Sequence, residues 1–118
     1  MTESFASVLL VGIGGAAGAV ARHSVGSVIE SRNSVISVNL VGSFILGIVL
    51  GIPGASTVTV LVGAGFCGGF TTFSSFTVET VVTAESGEIL PAIRFALTNL
   101  IGGVGALILG SVLISVTV

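Results

Sequence analysis

The sequence predicts an all-α membrane protein of four transmembrane helices, the third of them broken. Three observations carry that prediction. Of 118 residues, 53% are hydrophobic and only 7% charged, whereas a soluble domain is about a quarter charged. Four apolar segments are each long enough for the ~20 residues that a spanning helix needs. Inside the third lies GFCGGFTTFSSF, Gly65 to Phe76, where paired glycines and paired threonines interrupt an otherwise ordinary span. Glycine is costly in a helix interior, and β-branched threonine is a modest helix former.

The charged residues are Glu3, Arg22, Glu30, Arg32, Glu79, Glu85, Glu88 and Arg94. So few cations argue against electrostatic nucleic-acid binding. Cys67 is the only cysteine, which excludes an intrachain disulfide and a cysteine metal cluster. The N-terminal apolar run lacks a basic flank and is too long for a cleaved signal, so Phe5 onward reads as a retained span. An enzyme is not predicted. His23 is the only histidine and is far in sequence from Ser74 and Ser75, so no triad forms. Glu85 and Glu88 sit in a connection, and no lysine follows the glycines to make a phosphate loop.

The spans run about 5–29, 34–52, 56–83 and 91–118, with the break near 68–72, and form a single transmembrane domain. The connections Glu30–Asn33, Pro53–Ala55 and Ala84–Leu90 are short, so successive helices are antiparallel neighbours. In the first span Gly14, Gly18, Arg22 and Gly26 recur every four residues and share a face. Small residues in such a row let helices approach closely in lipid. Gly12, Gly14 and Ala17 also fit a dinucleotide fingerprint, but no strand precedes them and no βα units follow. Arg22 either faces the bundle interior or snorkels to the headgroups. His23 has no metal partner and reads as an interfacial residue.

The second span repeats the pattern with Asn39, Ser43, Gly47 and Gly51. Asn39 can hydrogen-bond across helices or offer its NH₂ to an anion in a pore. Beyond the break in the third span, Ser75, Glu79 and Thr83 share a face. Glu79 is the only acid well inside a span, and is either a functional group in a vestibule or a partner for Arg22. The fourth span opens with Arg94 and carries Thr98, Gly102, Ala106 and Gly110 on one row, with Asn99 and Gly103 beside it. Four short helices cannot enclose a pore and also bury so many small faces. The faces are therefore expected to meet a second subunit, and symmetric dimers are the commonest oligomers.

Ion passage is the chemistry these residues suit. A break at membrane depth is tolerated only where it is buried in protein or lines a wet cavity, and half-helix ends of this kind bind ions in transporters. The glycines are expected to end the first half-helix with bare carbonyls, which favour a cation. The second half-helix then begins with free N–H groups and a positive dipole end. Further donors for a small hydrated anion are Asn39 and the hydroxyls of Ser43, Thr72, Ser74, Ser75 and Thr77. Phe73 and Phe76 can add positive ring edges. The plain alternative is a flexible kink packed on phenylalanines.

In four places the sequence resembles the Fluc/CrcB family of fluoride channels. GGAAGAVAR, ending at Arg22, is similar to the first-helix motif GGxxGAxxR. VNLVGSFILG is similar to the second-helix motif built on Asn and GSFxxG. GFCGGFTTFSSF is similar to the third-helix motif GGxTTFSTF, and Glu79 falls at the family's downstream acid. The resemblance covers nearly the whole chain. It implies passive export of fluoride across the cytoplasmic membrane, relieving fluoride toxicity, by an antiparallel, dual-topology dimer with two pores. A small dual-topology efflux transporter, proton-coupled through Glu79, is the alternative, and a non-conducting scaffold the third reading. The family's pore asparagine maps onto Asn39, its pore phenylalanines onto Phe73 and Phe76, and its polar track onto Ser74, Ser75 and Thr77. The carbonyls that hold its structural sodium ion at the dimer centre map onto Gly68 and Thr71. The family's fourth-helix Tyr, followed one turn later by Ser, is missing. Phe95 and Asn99 occupy those positions, with Thr98 as an adjacent hydroxyl. The implied partners are fluoride, Na⁺, membrane lipid and a second copy of the chain. An oppositely oriented homologue is the alternative partner, because Arg32 and Arg94 fall on one face of the membrane, with Arg22 near it.

Overall fold

The computed structural model describes residues 2–54 and 56–118. Ala55, at the end of the second expected connection, lies outside them. Helix α1 spans Thr2–Val28 and α2 spans Ser31–Leu50. The third span is composite: α3 (Ser56–Val58), a π-helical stretch (Thr59–Cys67), α4 (Gly68–Phe70) and, after a break, α5 (Phe73–Glu85). Helix α6 spans Ile89–Thr117. The four resulting spans are long and apolar enough to cross a membrane, and the molecule is 51 Å along its longest axis.

Helix ends follow local chemistry. α2 begins earlier than the apolar run because Ser34 N–H already closes on Glu30 O at 2.7 Å. α6 begins at Ile89, ahead of Pro91. Proline is tolerated in a first turn, where its missing N–H would have no intrahelical partner. The turns after α2 and after α5 each use a left-handed glycine, Gly54 (φ 66°) and Gly87 (φ 88°).

α1 packs on the first half of the third span, α2 on α6, and α5 on α6. The small faces make these contacts possible. A Cβ at Gly14 or Gly18 would strike backbone of the π-helical stretch, at Leu61 and Phe66, and one at Gly47 would strike the Leu107 carbonyl of α6. On α2 and α6 the buried apolar residues are Val35, Val38, Val49, Ala92 and Phe95. Much of the remaining apolar surface faces outward, as lipid-exposed helices require.

Candidate functional site

The break is made by the threonines rather than the glycines. Gly68 and Gly69 remain helical, whereas Thr71 (φ −79°, ψ 162°) and Thr72 (φ −145°, ψ 119°) are extended. β-Branched side chains suit extended backbone. The expectation that the glycines end the half-helix is thereby corrected, and the reason is packing. A Cβ at Gly69 would strike the Gly15 carbonyl of α1. Gly68 has no such neighbour: a Cβ there would meet nothing within 4 Å.

Two backbone donors are diverted at the break. A continuous α-helix would give Thr72 N–H to the Gly68 carbonyl and Ser75 N–H to the Thr71 carbonyl. Instead Thr72 N–H donates to Asn39 Oδ1 at 2.8 Å. Ser75 N–H donates to Thr72 Oγ1 at 3.1 Å, an N-cap for α5. The Asn39 amide also donates from Nδ2 to Thr72 O (3.2 Å) and to Asn99 Oδ1 (2.9 Å). Asn99 Nδ2 donates in turn to Phe95 O at 3.0 Å. Thr71 closes back on the first half-helix, with its N–H and Oγ1 both donating to Cys67 O at 3.0 and 2.8 Å. Its own carbonyl faces Arg22 Nη1 at 3.5 Å. Arg22 therefore points into the protein, toward the break.

An aromatic row flanks this backbone. Phe73 and Phe76 lie 5.8 Å apart between centroids, tilted by 42°, and Phe76 stacks on Phe95 at 5.8 Å. Phe73 is 79% exposed, and Phe95 is buried. A groove of about 670 Å³ runs past Asn39, Ser43, Gly68, Thr71, Phe73 and Phe76. A second hollow holds Ser31, Ser34, Ser74, Ser75 and Glu79. Thr72 Oγ1 links the two, 3.4 Å from Ser74 Oγ.

The other expected site residues sit differently. Thr77 and Thr98 are exposed, and their hydroxyls donate one turn back, to Phe73 O (2.9 Å) and Arg94 O (2.7 Å). Asn99 is largely buried and bonded to Asn39, and it lines the same groove. Glu79 pairs with Arg32 at 3.7 Å, not with Arg22, and accepts from Ser31 Oγ at 2.8 Å. Arg32 also reaches Glu88 at 3.8 Å. Antiparallel spans put the first and third connections at one end of the molecule, so alternation of loops could have suggested this cluster. Periodicity gave no hint of the π-helical stretch or of the Asn99–Asn39 link.

Comparison with known proteins adds the rest. The family model described as CrcB-like protein, Camphor Resistance (CrcB), matches residues 9–111. A protein of Natronomonas pharaonis named fluoride-specific ion channel FluC 2 is 46% identical, over 88% of this chain and 90% of that protein. The fluoride-specific ion channel FluC of Prosthecochloris aestuarii is 37% identical, over 96% of each. The protein of the same name from Methanocaldococcus jannaschii is 36% identical, over 80% of this chain and 83% of that one.

Proposed function

The chain belongs to the CrcB family, and we infer that it is a fluoride channel, a multi-pass membrane protein that lets fluoride leave the cell passively and so relieves its toxicity. One observation carries the reading at the level of residues: a span broken at Thr71 and Thr72, clamped by Asn39 and flanked by Phe73 and Phe76. A small, strongly hydrated anion needs donors to replace its water, and it must be held weakly enough to leave. Hydroxyls and the positive N-terminal end of α5 offer the first, and ring edges the second. The pore residues of this reading are Asn39, Ser43, Phe73, Ser74, Ser75, Phe76 and Thr77, with Thr98 and Asn99 from α6. Both N–H groups of the Asn39 amide are already engaged, which supports a role for Asn39 in holding the break.

The channel is further proposed to be an antiparallel homodimer with two pores. The groove left open on the protomer's surface beside the break supports this. A structural sodium ion between the subunits would be held by the carbonyls of Gly68 and Thr71, two from each chain. The chain fits such a group, since both carbonyls have lost their helical donors, and the second lone pair of Thr71 O remains beside Arg22. When bound, the ion would supply fixed positive charge between the pores.

Fluoride efflux from liposomes containing the purified protein tests the function. Rapid, uncoupled, fluoride-selective flux is expected. Slow flux that requires a proton gradient would favour a transporter using Glu79, and no flux at all a scaffold.

A further inference from the structure

We propose that Asn99 is a positioning residue that sets the direction of the Asn39 amide and thereby keeps the third span broken. The proposal rests on the fluoride-channel reading and goes beyond it, to how the conducting backbone is held. The chain of bonds starts at the Phe95 carbonyl, within α6. That carbonyl can only accept, so the Asn99 group facing it must be NH₂. Asn99 therefore turns its Oδ1 to Asn39, 2.9 Å from Nδ2. Asn39 then has its Oδ1 left for Thr72 N–H at 2.8 Å.

Reversing either amide places like groups together. A flipped Asn99 sets oxygen against the Phe95 carbonyl and NH₂ against the NH₂ of Asn39. A flipped Asn39 sets NH₂ against Thr72 N–H. The polarity of one α6 carbonyl is thus passed through two side chains to the peptide of Thr72. The consequence is specific. Thr72 N–H is withheld from the Gly68 carbonyl, its partner in an unbroken helix. A hydroxyl in place of Asn99 would not impose this direction, because it rotates to donate or accept. Asn99 is only 8% exposed at the wall of the groove, and leaving a largely buried hydrogen bond unmade is costly.

Asn99→Asp tests the relay, because a carboxyl has the shape of the amide and a donor that pH removes. Protonated, the acid donates to Phe95 O and accepts from Asn39, as the amide does. Ionised, it presents only acceptors, and one of them faces the Phe95 carbonyl. The charged and titratable groups on the packed elements are Arg22 and His23 on α1, Arg32 on α2, Glu79 and Glu85 on α5, and Glu88 and Arg94 on or beside α6. The wild type, which carries all of them, measures the background.

Fluoride efflux is read from pH 5 to 9 in liposomes, with protein-free vesicles subtracted. The wild type should vary little. Asn99→Asp should conduct near the wild-type rate at the acid end and fall roughly tenfold or more as pH rises, as expected for an unmade buried hydrogen bond. Asn99→Leu should be low at every pH. A flat profile for Asn99→Asp, whether high or low, overturns the relay, the low case being what a purely structural role gives. Failure to recover folded Asn99→Asp even at low pH also counts against it, since the protonated acid reproduces every bond. A wild type that passes no fluoride overturns the channel reading instead, and is distinguished by that arm alone.

Discussion

Replacing Gly68 with valine separates the protomer from its assembly. A Cβ at Gly68 meets nothing within 4 Å, so the protomer has room for the side chain. Helix propensity even favours valine over glycine, by a few tenths of a kcal/mol. The folded protomer should therefore keep its stability to within about 0.5 kcal/mol. The added methyls project beside the carbonyl proposed to face a second copy. In the dimer two valines would crowd the cation site, and both ion and flux should be lost. Gly69→Ala is the control in the opposite direction. Its methyl strikes the Gly15 carbonyl, and such overpacking costs roughly 1–3 kcal/mol inside the protomer. The two variants would be compared by thermal unfolding, by mass in detergent, by sodium retained after desalting, and by fluoride efflux. Gly68→Val should unfold like the wild type and yet not conduct, whereas Gly69→Ala should unfold earlier. If Gly68→Val conducts normally and retains the ion, the carbonyl site is wrong. If it unfolds early, the account of the protomer is wrong.

Phe73→Ile and Phe76→Ile should each lower fluoride flux without dissolving the assembly, because isoleucine fills much of the volume but has no quadrupole edge. Phe76→Ile should also unfold earlier than Phe73→Ile, since it loses the stack on Phe95, worth about 0.5–1.5 kcal/mol; normal flux in both would exclude the ring edges. Asn39→Leu removes three hydrogen bonds at the break and should lower both flux and melting temperature, and normal flux would return Asn39 to the role of helix glue. Thr72→Val deletes the N-cap of α5 and should cost about 1 kcal/mol, read by thermal unfolding; an unchanged transition would mean that the cap contributes nothing. Reporter fusions at the C-terminus should be active on both sides of the membrane for a homodimer, and activity on one side only, in cells without a second homologue, would sink it.

Much of this architecture was legible because lipid allows few solutions. Composition and segment length were enough for four spans, since only helices and closed barrels satisfy the backbone in hydrocarbon. The place of the break was legible to within a few residues, but its cause was not. Gly68 and Gly69 read as helix breakers on propensity, yet propensity yields to packing. Gly69 is used for close approach to α1, and the threonines carry the extended backbone. Asn39 read slightly better as glue on its own residues and as an anion donor beside the break, because its function depends on partners distant in sequence. Thr72 and Asn99 decide its geometry, and neither follows from spacing within α2. Of the two readings of Glu79, the pairing with Arg22 gave way to one with Arg32 for the same reason, while its place in a hollow agrees with the other. Arg32 and Arg22 both lie on the correct side, and only the packing of α2 against α5 and α6 chooses between them.

Charge and polarity together bear on the proposed dimer. Arg32, Glu79 and Glu88 join α2, α5 and the start of α6 at one end of the molecule, and Arg22, Glu30, Glu85 and Arg94 lie toward the same end in sequence. A single protomer therefore gathers most of its charged groups at one membrane face. Its groove is mostly apolar but leaves Ser43 and Thr71 partly open beside a largely exposed Phe73. A parallel partner would crowd both charged clusters onto that face. An antiparallel partner would cover the groove and place one charged cluster at each face. It would also appose the two breaks at mid-depth, where the carbonyls released by Asn39 and Thr72 could share one cation. The asparagine that holds the break and the groove left open beside it are, on this reading, two parts of one device, for which a protomer alone is half the structure.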